Sequence, residues 1–184
     1  WASSLGLRTG LLARLARDEG GLFLRKAMRT RGIVTDWIVE TDEPTGTSEV
    51  LAGPGGERAI YSAPGTTLTT TPAQVRQHWK GVLAKASLVS SEISMMPLAS
   101  VLEALRLARR RAVDFDIPPN QATGPGGVGN ARQLRQIVEA ADILKATREA
   151  AAAFTGVTDL EGSAKALATL MGRSVGPEGA VPGR

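Results

Sequence analysis

An α/β fold built on a mostly parallel sheet is predicted by three features of this 184-residue sequence. Short apolar runs at residues 33–39, 88–89, 112–117 and 143–144 alternate with stretches of helical periodicity, the pattern of parallel strands joined by crossover helices. Helix-start and helix-stop residues fall where that alternation puts the ends of the elements. Apolar residues are 42% of the chain and charged residues 22%, globular proportions that exclude wholesale disorder. A chain of this length removes about 70% of its extended-chain surface from water, so residues 1–184 are expected to form one domain.

In order along the chain, residues 5–15 are ambiguous between strand and helix. A helix is predicted over 22–30, with Asp18 and Glu19 before it, Arg29 at its end and Gly32 to stop it. Residues 33–39 read as a strand. Residues 47–51 and 59–62 form a hairpin around Gly53-Pro54-Gly55-Gly56. Thr71-Pro72-Ala73-Gln74 is a helix start: Thr as cap, Pro at the first position and Gln three residues after the cap. Val75, Trp79, Val82, Leu83 and Ala86 then share a face, with His78 beside the stripe. A strand at 88–89 enters a loop over 90–96, and Pro97 opens a helix with Leu98, Val101, Leu102 and Leu105 at i, i+3, i+4 and i+7. The strand 112–117 is halted by Pro118-Pro119. A Gly-rich loop over 121–130 leads to a helix carrying Leu134, Ile137, Val138 and Ala141. After a brief strand at 143–144, Thr147 caps a helix that stops at Gly156, and a last helix covers roughly 160–171.

Composition narrows the function classes. The 22 Lys+Arg exceed the 18 Asp+Glu by four, and the basic cluster Arg109-Arg110-Arg111 sits at a helix end, where cations favour the dipole. Aromatics are 4%, too few for a base-stacking surface, so nucleic acid is not the expected partner. No window approaches 18 uncharged apolar residues, so no membrane span is expected. The absence of cysteine excludes disulfides and thiolate metal sites and suits a cytoplasmic location. His78 is the one histidine, which leaves no His-rich metal site and no Ser-His-Asp triad built on another residue. The chain begins at Trp1 rather than Met, so a preceding segment is expected.

Three patterns carry possible chemistry. Gly124-Pro125-Gly126-Gly127-Val128-Gly129 satisfies G-x-G-x-x-G, which cradles a dinucleotide when it turns a strand directly into a helix. Two prolines separate it from the strand, and no acidic residue stands about 20 positions on. A flexible surface loop is therefore the favoured reading over a nucleotide-binding oxidoreductase. In Asp114-Phe115-Asp116-Ile117-Pro118-Pro119-Asn120, strand alternation puts both aspartates on one face, with Asp116 and Asn120 at the carboxyl end where open α/β sheets bind ligands. Carboxylate and amide groups there suit sugar hydroxyls, against the plainer reading of a loop start with Asn capping a turn. Glu92 and Ser94 occupy the same kind of edge. Glu149, two residues after the cap Thr147, reads equally as a first-turn acid.

Taken in order, these segments resemble the PfkB/ribokinase-like family of carbohydrate kinases. The resemblance lies in 18-DEGGLFLRKA-27 followed by Gly32-Ile33, in Thr45-Gly46-Thr47 with 56-GERAIY-61, in 141-ADILKATRE-149 through Phe154-Thr155-Gly156, and in 174-SVGPEG-179. It covers almost the whole chain. It implies a three-layer α/β/α ribokinase-like fold with part of a small β lid, MgATP as phosphoryl donor and a sugar hydroxyl as acceptor. Carried over by position, Asp116 and Asn120 match the family's sugar-side D-x-N with two extra residues between them, and Ser94 falls near a position that contacts the sugar. Thr147 matches the first position of N-x-x-E, which organises Mg2+ and phosphate. The Glu of that motif falls on Ala150, with Glu149 one place early. Ser174, Gly176 and Gly179 would line the ATP.

The family's N-terminal sugar-binding strand is not in the sequence, and no G-x-G-D occurs anywhere in it. That motif supplies the anion hole and the general-base Asp, so no catalytic residue is assigned. The chain is expected to be a truncated domain, incomplete at both ends and inactive alone. The alternative is a non-catalytic assembly module, because the unpaired edges of a truncated sheet invite a second copy to form a homodimer.

Overall fold

The computed structural model describes residues 1–172. They fall into two compact units, one ending at Thr70 and one beginning at Thr71. The first contains a 3-10 turn at Ser3–Leu5, β1 (Ala13–Ala16), α1 (Glu19–Thr30), β2 (Ile38–Thr41), β3 (Thr47–Ala52), β4 (Arg58–Ala63) and a second 3-10 turn at Gly65–Thr67. The ambiguous opening stretch thus resolves into a turn and a strand. β1 and β2 pair in parallel, from Ala13 opposite Ile38 to Ala16 opposite Thr41, and α1 is the crossover that parallel pairing needs. This helix starts earlier than its apolar periodicity suggests, because Asp18 caps it, accepting from the Gly21 amide at 2.7 Å.

The strand expected over 33–39 is displaced. Val34 makes only an isolated bridge to Gly10, and a turn closed by the Ile38 amide on the Thr35 carbonyl, 3.1 Å, delays the strand. β3 and β4 form the expected antiparallel hairpin, with Val50 opposite Ile60, and every residue of both strands is exposed.

The second unit contains α2 (Pro72–Leu83), β5 (Val89–Glu92), α3 (Leu98–Leu107), β6 (Arg111–Phe115), α4 (Pro119–Thr123), α5 (Ala131–Ala140), β7 (Ile143–Ala146), α6 (Arg148–Thr155) and α7 (Leu160–Leu170). Thr71 and Gln74 make the predicted capping box at the start of α2, and Asn130 with Gln133 makes another on α5. The sheet has the order β5-β6-β7 and is parallel throughout. Val113 and Phe115 of β6 are buried with Leu98, Val101 and Leu105 of α3, Leu134, Ile137 and Val138 of α5, Ala150 of α6 and Leu167 of α7. The Phe115 and Phe154 rings meet edge to face at 5.6 Å. Alternation along a strand sends every second side chain the other way, and that second set includes Asp114.

Candidate functional site

The carboxyl edge of β5-β6-β7 gathers four of the residues singled out from the sequence: Glu92, Ser94, Asp114 and Asp116. Glu92 on β5 stands opposite Asp114 on β6, and Asp114 stands opposite Lys145 on β7. In a parallel sheet, residues in register share a face, so these three side chains form one row across the strands. The Lys145 ammonium donates to both Asp114 oxygens, at 2.9 and 2.8 Å, and reaches both oxygens of Asp116 at 3.3 and 3.4 Å. Asp116 follows the last residue of β6 and is exposed. Ser94, two residues past β5, donates its hydroxyl to the Glu92 carboxylate.

The electrostatics follow from this packing. A hydrogen bond with Asp114 pushes the Asp116 carboxyl above the usual carboxylate range, against the pull of Lys145. Partial burial works to raise Asp114, but hydrogen bonds with Lys145 and Asp116 outweigh it and hold it low. The two carboxylates in turn raise Lys145, Asp114 most. The edge therefore offers fixed carboxylate oxygens and a hydroxyl, a donor–acceptor set suited to a polyol.

The other candidates lie apart from this row in the chain. Asn120 is an exposed residue in the first turn of α4, a short helix that the sequence pattern does not predict; Pro119, which reads as a strand stop, is also a helix-opening proline. Thr147 caps α6. Its amide donates to the Phe115 carbonyl at 3.2 Å and its hydroxyl oxygen accepts from the Ala150 amide at 3.1 Å. Glu149 is exposed in the first turn of that helix, and Ala150 is fully buried in the core. His78 is exposed on α2. Ser174, Gly176 and Gly179 lie outside the described residues.

The Gly-rich run is a packed turn rather than a loose loop. The amides of Gly124, Gly127, Val128 and Gly129 donate to the carbonyls of Asn120, Gly124 and Ala122, and Leu98 donates to Val128 at 2.9 Å. Donors engaged in this way are not turned toward a pyrophosphate, so the oxidoreductase reading loses its one motif.

Lys145 was not among the sequence candidates. Its signal was available as parity: Lys145 occupies the same alternating set as Asp114 once the two strands are placed in register.

Comparison with known proteins places this α/β fold within a known family. The family model of the pfkB family carbohydrate kinases matches residues 1–176. The bifunctional ribokinase/ribose-5-phosphate isomerase A of Fructilactobacillus sanfranciscensis is 25% identical over 158 residues, covering 85% of this chain and 27% of that protein. Among solved structures, the ribokinase of Arabidopsis thaliana complexed with ribose and ATP superposes with a TM-score of 0.72 at 17% identity, over 94% of this chain and 55% of the other. The fructokinase of Xylella fastidiosa gives a TM-score of 0.74 at 20% identity, over 91% and 56%.

The chain belongs to the pfkB family of carbohydrate kinases, and its fold is the ribokinase-like α/β fold with a mostly parallel sheet. It spans a little over a quarter of the curated relative and somewhat more than half of these solved chains.

The family implies Mg2+ as well as ATP. Among the described residues, no group of three or more His, Cys, Asp or Glu side chains is arranged to hold a metal ion. Thr147 is engaged as a cap, and Asp114 and Asp116 are bound to Lys145. These residues do not fit a protein-built Mg2+ cage, although Mg2+ is commonly held by substrate phosphates and water with one or two carboxylates. No helix among the described residues is long and apolar enough to cross a membrane.

Proposed function

We propose that this chain is the central part of a cytoplasmic, ATP-dependent sugar kinase that transfers a phosphoryl group to a sugar hydroxyl. The observation that carries the reading is the pairing of a family match over residues 1–176 with the Glu92–Asp114–Lys145 row at the edge where such sheets bind ligands. In this reading Asp116, Asn120 and Ser94 accept and donate hydrogen bonds to the sugar. Thr147 and Glu149 stand at the phosphate end, and Ser174, Gly176 and Gly179 contact the nucleotide. Phosphoryl transfer depends chiefly on positioning and charge stabilisation. The absence of any G-x-G-D from these 184 residues removes the proton acceptor and the anion hole from them, so they are inactive alone.

The test is ATP consumption with ribose, fructose and 2-keto-3-deoxygluconate, run on the full-length gene product and on residues 1–184. Turnover by the first and none by the second is expected. A full-length product that consumes no ATP with any of the three sinks the reading.

A second reading, a non-catalytic assembly module, draws on the hairpin. All of β3 and β4 is exposed, including Val50, Leu51, Ile60 and Tyr61 at 53–64%. It predicts association without turnover, with a homodimer as the smallest product.

A further inference from the structure

Lys145 is a single cation set against two aspartates, and strand register puts it there: it faces Asp114 across the β6–β7 pair, with Asp116 two residues further along the same face. Exposed ion pairs add little to folding stability, and the Lys145 side chain is 68% exposed. Stability does not account for the contact. What the ammonium does is local. Two carboxylates on one face, two residues apart, repel; without a shared cation they swing apart or share a proton. Glu92, in register with Asp114 on the far side, adds a third negative charge to the same row.

Resting on the kinase reading above, we infer that Lys145 is a positioning residue: it holds Asp116 beside Asp114, in the orientation in which the Asp116 oxygens accept hydrogen bonds from the sugar, without touching the sugar itself. An ionised carboxylate is acceptor-only and takes two hydroxyls at once, whereas a protonated one gives up part of that capacity. Asp114 already pushes Asp116 upward through their hydrogen bond, and Lys145 is the group that opposes it. On the neighbouring elements, Glu92 ends β5, and Arg148 and Glu149 lie in the first turn of α6, which follows β7. Removing Lys145 therefore leaves three carboxylates in the row with no ammonium among them, and sugar binding fails at a higher pH than before.

The experiment uses the full-length gene product with ATP and whichever of ribose, fructose or 2-keto-3-deoxygluconate it phosphorylates. Lys145→Met is expected to raise the sugar KM about tenfold, as for loss of a hydrogen bond to a charged group, with a smaller change in kcat. It also moves the acid limb of kcat/KM to higher pH. Lys145→Arg keeps the charge and restores most of both. Lys165→Met, which removes the exposed 2.5 Å pair with Glu161 on α7, moves neither. Lys145→Gln replaces the Met variant if that one precipitates. An unchanged KM and acid limb in Lys145→Met or Lys145→Gln overturns the inference and leaves the kinase reading standing, as does a loss that Lys145→Arg fails to restore. A wild-type product inactive on all three sugars overturns the kinase reading and this inference together.

Discussion

Asp18 joins two segments of the first unit through its two carboxylate oxygens. Oδ1 accepts from the Gly21 amide at 2.7 Å and caps α1, while Oδ2 accepts from the Thr45 amide at 2.8 Å. The Thr45 hydroxyl in turn accepts from the Ala16 amide at the end of β1, 3.0 Å. Hydrogen bonds from the Thr45 and Gly21 amides hold the Asp18 carboxyl below the usual range. Its contribution is therefore present above the unfolded-state value, about 3.9, and is lost as pH falls through the lower folded-state value. Asp18→Ala should lower the melting temperature at pH 7, and the gap to wild type should narrow as the pH is taken below about 4. Equal gaps at pH 7 and pH 3 in thermal melts would contradict this. Gly21 is confined by the same contacts: a Cβ there would lie 2.1 Å from the Ala16 carbonyl oxygen and 2.9 Å from the Thr45 hydroxyl. Neither backbone nor cap can yield cheaply, so Gly21→Ala should destabilise by about 1–3 kcal/mol, read by urea unfolding.

At the level of elements, local chemistry was legible and turns were not. The capping residues Thr71 and Thr147 act through neighbours three residues away, so the starts of α2 and α6 could be placed from short stretches of sequence, whereas the Asn130 cap of α5 lay at the end of a glycine-rich run that reads as a loop. β2 begins late because of the Thr35–Ile38 turn, which apolar pattern does not encode. α4 was hidden because Pro119 has the same local meaning at a strand end and at a helix start. The packing of the Gly-rich run is not encoded in its composition: a Cβ on Gly129 would meet Leu98 atoms at 2.7 Å, and one on Gly127 would meet the Ala122 carbonyl oxygen, five residues back, at 2.5 Å. Gly127→Ala should therefore cost about 1–3 kcal/mol. Gly81, inside α2 and exposed, has nothing within 4 Å of its Cβ position, and Gly81→Ala should stabilise by about 0.5–1 kcal/mol. Chemical denaturation of the two variants should move the midpoint in opposite directions. Stabilisation by both substitutions would show that backbone entropy, not packing, governs both sites.

Across the whole molecule, the carboxylates at the sheet edge were legible one by one, but Lys145 and the row it completes were not, because strand register is a long-range quantity. Asp114 and Lys145 are 31 positions apart, and nothing local to either names the other. The same long-range logic bears on association. β7 is hydrogen-bonded to β6 and to no other strand among the described residues, with Ile143 at 43% exposure. The β3–β4 hairpin exposes Val50 and Ile60 side by side. Open strand edges and clustered apolar side chains favour pairing between chains, and a net charge of +4 gives only weak mutual repulsion. Residues 1–184, produced alone, should associate with rising concentration in sedimentation velocity. A lysine on an edge strand opposes such pairing, so Ile143→Lys should return the chain toward the monomer if β7 is the contact, and the double change Val50→Lys and Ile60→Lys should do so if the hairpin is. A chain that sediments as a monomer at every concentration would remove the support for the assembly reading and leave the kinase proposal alone, with the Glu92–Asp114–Lys145 row as its structural basis.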